Sequence, residues 1–219
     1  MIRGLGAAGE FCVVVFIAFA YPIAASLSVA LSGAPQPPID GAGLIGLIAY
    51  EFVVMAMLWP LLRMRGWTLA ELGLANGRAI DVVVGLALAL ACIVATNALW
   101  LIAGSLGFAV PAVADAVPIS NGLGWPAVVA ISAVNPIFEE VFVCAYVIAA
   151  LSKSRGPWLA IHVSVAIRLA YHLYQGSVGV VGILPMGLMS AYWYARTGRL
   201  WPVVVAHAAL DFIALCRYA

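Results

Sequence analysis

From residue 125 to residue 151 the chain is almost continuously apolar, and similar runs recur along its length. About 20 apolar residues carry an α-helix across the hydrocarbon core of a bilayer at 1.5 Å of rise per residue. Seven such runs stand out, at about 11–31, 44–62, 81–106, 125–151, 158–174, 178–194 and 200–215. Only 9% of the residues are charged and 66% are hydrophobic, whereas a soluble domain carries roughly 25% charged residues. The expectation is an all-α, polytopic transmembrane bundle of about seven spans, with residues 1–219 forming one integral membrane domain. The first run has no small-residue cleavage site followed by a polar chain, so it is expected to be a retained helix rather than a removed signal.

The connecting segments alternate in character. Residues 32–43 and 107–124 are rich in Pro and Gly, with Asp40 and Asp115 as their charges and no Lys or Arg. Residues 63–78, 153–157 and 196–199 carry the basic side chains, among them Arg63, Arg65, Arg78, Lys153, Arg155, Arg196 and Arg199. The positive-inside rule puts those loops and the amino terminus, with Arg3, in the cytoplasm, and only Arg217 falls on the other side. Trp59, Trp67, Trp125, Trp158 and Trp201 lie near span ends, as an interfacial aromatic belt requires. His162 also reads as interfacial. The formal net charge of +1 gives no electrostatic case for nucleic acid. Cys12, Cys92, Cys144 and Cys216 have no paired spacing and read as small core residues.

Within the spans the ionisable groups reduce to Glu51, Glu139, Glu140, Arg168, His172, His207 and Asp211. A charged carboxylate at mid-bilayer costs roughly 3 kcal/mol or more, so the tandem Glu139-Glu140 demands a partner or a purpose. Three pairs share an i,i+4 spacing and hence a helix face: Glu140 with Cys144, Arg168 with His172, His207 with Asp211. A carboxylate held away from water is an effective proton acceptor, an adjacent imidazole can hold the same water, and donors on another helix can stabilise an oxyanion. That chemistry fits hydrolysis inside the membrane. The same residue types also serve proton or ion translocation, and spacing does not separate the two. A metal site with an open water position would need ligands from separate helices, since no HExxH is present. Pro136, three residues before Glu139, removes a backbone hydrogen bond and is expected to kink the helix. Glu51 is either a counter-ion for Arg168 or a member of the site.

Phe138-Glu139-Glu140, a histidine on the next helix, and His207-Ala-Ala-Leu-Asp211 resemble the CPBP intramembrane proteases. That family takes in the type II CAAX prenyl endopeptidases and the Abi, or bacteriocin-immunity, proteins, with EExxxR, FxxxH and HxxxN or HxxxD on successive core helices. RGWTLAELGL at 65–74 is similar to the segment that precedes this core, and YHLYQG at 171–176 to a version of the second motif. The resemblance spans roughly residues 65–212. It implies a helical CAAX-protease-like core, with Glu139 activating water, His172 assisting, Glu140 orienting or supporting it, and His207 with Asp211 stabilising the oxyanion or positioning water. It leaves metal participation open; a divalent ion such as zinc would sit among Glu139, His172 and His207.

Two positions depart from the pattern: Cys144 stands where EExxxR has Arg, and Arg168 where FxxxH has Phe. Arg168 is therefore expected to supply the guanidinium from the neighbouring helix. The implied activity is an intramembrane endopeptidase of a prokaryotic plasma membrane, acting on a membrane-associated peptide or protein that is lipidated in the best-known members. A non-catalytic binding or immunity protein on the same fold and a small proton-coupled transporter are the alternatives. No internal repeat of the transporter kind is evident.

Overall fold

The computed structural model describes residues 6–33, 38–75, 77–108, 118–120 and 122–219. Arg3 and Asp115 lie outside them. Among the described residues eight α-helices follow one another: α1 (Ala7–Ser32), α2 (Gly41–Met64), α3 (Ala79–Ser105), α4 (Trp125–Glu139), α5 (Val147–Arg155), α6 (Pro157–Tyr171), α7 (Gly176–Thr197) and α8 (Trp201–Leu215). A π-helical segment, Glu140–Tyr146, joins α4 to α5 without a break, and a 3₁₀ turn, Leu173–Gln175, joins α6 to α7. Six of the resulting helices are long and apolar enough to cross a membrane, with α4 through α5 counted as one, and α6 is a seventh, shorter one. The chain is an integral membrane protein built as an all-helical bundle.

Local chemistry sets the helix ends. Asp40 caps α2 by accepting from the Gly43 amide at 2.8 Å. Pro126, Pro157 and Pro202 occupy the first turns of α4, α6 and α8, where a missing N–H costs nothing. Gly33 and Gly198 end α1 and α7 in the left-handed conformation.

The two ends of the bundle differ. At one end the basic segments meet: Arg199 pairs with Asp81, the Leu200 amide donates to the Gly73 carbonyl at 3.3 Å, and Lys153 lies over the Trp67 ring. Glu10 accepts there from Arg65 and Trp67, both at 2.7 Å, and from Tyr146 at 3.2 Å, tying α1 to the α2–α3 connection. At the opposite end Ile39 and Ile119 form a single bridge, and the Leu123 amide donates to the Tyr218 carbonyl at 2.9 Å. Leu44, Leu123, Val128 and Ile131 form a small apolar cluster beneath it.

Trp125 and Trp158 are exposed near helix starts as an interfacial belt requires, and His162, also exposed, bonds the Trp158 carbonyl at 2.7 Å. Trp67 and Trp201 instead turn their indole N–H groups inward, to Glu10 and the Leu74 carbonyl. The cysteines do not all read as core: Cys92 and Cys144 are buried, but Cys12 is exposed and Cys216 half-buried, and all four are free. Spanning helices present many apolar positions to lipid, so hydrophobicity alone does not mark the protein core in such a chain.

Gly85 brings α3 against α8. A Cβ there would stand 2.6 Å from the Val205 Cβ and 2.7 Å from the Pro202 carbonyl, so only glycine permits this approach.

Candidate active site

Glu139 and Glu140 close α4 and open the π-helical segment, 7% and 0% exposed. The helix runs on through Pro136, and the irregularity falls just after it. π-Helical turns arise where the i→i−4 ladder is disturbed and often mark functional sites. Here Ser164 of α6 donates to the Val143 carbonyl at 2.6 Å, giving the displaced backbone a partner. Cys144 turns its thiol to the Ser190 carbonyl of α7 at 3.6 Å, and Glu140 faces α6 and α8.

Arg168 crosses from α6 to both carboxylates. Its Nη1 lies 3.2 Å from Glu139 Oε2 and its Nη2 lies 2.6 Å from Glu140 Oε1, with the side chain 2% exposed. The guanidinium absent at Cys144 is thus present from the adjacent helix. Arg168 pairs with the glutamate tandem, and among the described residues no ion pair joins it to Glu51. Glu51 is tied instead to Asn135, whose Nδ2 donates to Glu51 Oε1 at 2.6 Å and reaches Glu139 Oε1 at 3.3 Å. Sequence reasoning did not single out Asn135. Its place one turn before Glu139 on the same helix face was the available signal.

Tyr171 was also passed over as a site residue. Its hydroxyl donates to Glu139 Oε2 at 2.6 Å, so Oε2 carries two donors while Oε1 has only the long contact to Asn135. His207 Nδ1 donates to Glu140 Oε1 at 2.7 Å, and its Nε2 faces Asp211 Oδ1 at 3.5 Å, the i,i+4 pair sharing one face. Glu140 Oε2 and Glu51 Oε2 are buried without a hydrogen-bond partner.

His172 follows the last residue of α6, three residues before the expected span end. Fifteen residues rise about 22 Å, short of the roughly 30 Å hydrocarbon core, and the 3₁₀ turn covers the remainder. Backbone that leaves the helix at such depth needs partners. The Tyr174 amide finds one in Ser26 Oγ of α1 at 2.8 Å. His172 Nδ1 meets the Arg168 carbonyl at 2.9 Å. A carbonyl can only accept, so Nδ1 carries the proton and Nε2 is the free nitrogen. The two histidines sit at different depths, and the glutamate tandem spans the step. Glu140 touches His207, while Glu139, nearer the other end, lies within electrostatic reach of both.

Among the described residues no three His, Cys, Asp or Glu side chains form a metal-ligand group. The ligands considered from sequence do not fit one either. Glu139 Oε2 and Glu140 Oε1 are held by Arg168, Tyr171 and His207, and His207 directs its two ring nitrogens to Glu140 and Asp211. The Arg168 guanidinium already sets a positive charge against both carboxylates, which leaves Glu139 Oε1 and His172 Nε2 as the open donors of the set.

Residues 121–213 match the family described as Type II CAAX prenyl endopeptidase Rce1-like. No curated protein and no solved structure matches the chain. The matched segment, less than half of the chain, holds the glutamate tandem, Arg168, both site histidines and Asp211, and over it the chain is similar to the CAAX protease family.

Proposed function

We propose that the protein is an intramembrane endopeptidase that hydrolyses a peptide bond of a membrane-associated peptide or protein, with Glu139 as the base. The observation that carries this reading is the state of Glu139. It is a buried mid-span carboxylate with one oxygen anchored by Tyr171 and Arg168 and the other, Oε1, only loosely held. A water on Oε1 gives its proton to Glu139 as its oxygen adds to the scissile carbonyl carbon. His172 Nε2 accepts that water's second hydrogen bond, and His207, oriented by Glu140 and Asp211, faces the oxyanion. The proton then passes from Glu139 to the departing nitrogen as the C–N bond breaks, giving a new carboxyl end and a new amine and restoring the carboxylate. Residues 1–219 act as one membrane unit with the protease-like core at about 65–212. The basic end faces the cytoplasm of a prokaryotic plasma membrane by the positive-inside rule.

A second reading, a non-catalytic binding or immunity protein, draws on the same ion pairs, because Arg168 and Tyr171 occupy lone pairs that a base would use. Comparing protein termini in membranes that carry wild type or Glu139→Gln at matched levels decides between them. New termini that vanish in the variant support proteolysis and identify the substrate. Identical termini in cells containing a native substrate favour the binding reading. A proton flux that persists without any cleavage would favour a transporter.

A further inference from the structure

Polar and apolar residues are distributed unequally about the glutamate tandem. Toward the basic end the residues next to the tandem are apolar and enclosed. Val143, Ala145 and Val147 are fully buried beyond Glu140, as are Leu58 and Leu62 on α2 beyond Glu51 and Val203 on α8 before His207, and Ala160 seals α6. Toward the opposite end the residues around Glu139 are polar and partly open. Asn135, His172, Tyr174 and Gln175 are half-buried, and the Asp211 side chain is 27% exposed about 15 Å along α8. A carboxylate exposed at mid-span is costly against lipid, so its open side faces water. Among the described residues two buried polar atoms on this side, Glu51 Oε2 and Ser132 Oγ, have no hydrogen-bond partner, and Ser152 Oγ and Trp193 Nε1 have none farther off toward the basic end. The apolar cluster of Leu44, Leu123, Val128 and Ile131 closes the flank between α2, α4 and α8. The opening is therefore beside the 3₁₀ turn, where α6 stops short and Gln175 and Asp211 flank it.

We infer that water and the peptide substrate reach Glu139 from the end opposite the basic loops, through a hydrated recess bordered by Asn135, Tyr174, Gln175 and Asp211. This rests on the peptidase reading for its purpose but not for its existence. With the basic loops in the cytoplasm, the substrate is a segment that enters the site from outside the cytoplasm.

The test is cysteine accessibility in a chain whose four native cysteines are replaced by alanine. Gln175→Cys and Asp211→Cys are exposed to a charged, membrane-impermeant methanethiosulfonate in intact cells and in inverted vesicles. Ser32→Cys marks the end opposite the basic loops, Ser154→Cys the basic end, and Ala145→Cys the dry side. The expected result is that both recess cysteines label in the preparation that labels Ser32→Cys, while Ala145→Cys labels in neither. Labelling of the recess cysteines alongside Ser154→Cys, or no labelling while Ser32→Cys reacts, overturns the inference. Gln175→Cys alters no group that touches the glutamates, so it keeps the test valid if Asp211→Cys misfolds. Labelling needs no turnover, so a catalytically silent protein with this recess still labels, and the peptidase reading stands or falls separately.

Discussion

Replacing Arg168 with methionine removes the guanidinium that pairs with two buried carboxylates and keeps much of the side-chain volume. Its stem is enclosed, since the Gly187 backbone leaves room for a Cβ only 3.4 Å from the Arg168 Cδ. Arg168 is 2% exposed and its partners are 9% and 0% exposed, so water cannot compensate for the loss. Breaking a buried pair from one side costs about 3–5 kcal/mol, because a charge is left unpaired. In a chain of this size that corresponds to a fall in Tm of roughly 6–20 °C, at about 2–4 °C per kcal/mol. If the penalty comes from the orphaned carboxylates, adding Glu140→Gln to Arg168→Met should recover part of it, because one of the two unpaired charges is then removed. Thermal unfolding of the detergent-solubilised wild type and the two variants reads both effects. A single variant within about 1 kcal/mol of wild type, or a double variant that is less stable than the single one, would refute the reasoning.

Cys144→Arg in an Arg168→Ala background returns the guanidinium to the position that the family motif assigns it, and partial recovery of function is expected; no recovery, with Arg168→Ala itself harmless, sinks the substitution argument. Tyr171→Phe removes one charge-assisted hydrogen bond worth about 1.5–3 kcal/mol and frees Glu139 Oε2; cleavage should fall while the amount of folded protein changes little, and unchanged turnover would remove Tyr171 from the site. Gly85→Ala drives a methyl into Val205 and the Pro202 carbonyl, and overpacking of about 1–3 kcal/mol should lower the melting temperature; an unchanged value would mean that α3 and α8 separate without penalty.

Hydropathy and helix periodicity made most of the architecture legible in advance. A 20-residue apolar run has few alternatives in a bilayer, so the spans could be read locally, and six of the helices meet the length and hydropathy that crossing requires. The same periodicity put His207 and Asp211 on one face, and their side chains meet at 3.5 Å. Basic segments that alternate along the chain gather at one end for the same reason, since each crossing reverses direction.

What no local pattern contained was distance between helices. That Arg168 reaches both glutamates, that Glu51 answers to Asn135 rather than to Arg168, and that Tyr171 anchors Glu139 all depend on how α2, α4 and α6 pack. The π-helical turn after Glu139 is likewise a tertiary decision, because Ser164 of another helix satisfies the Val143 carbonyl within it. Sequence alone determined which polar groups enter the membrane, because burying each one is costly and so conspicuous. Only the packed bundle decided which of them face one another, because side chains on separate helices meet through contacts far apart in the chain.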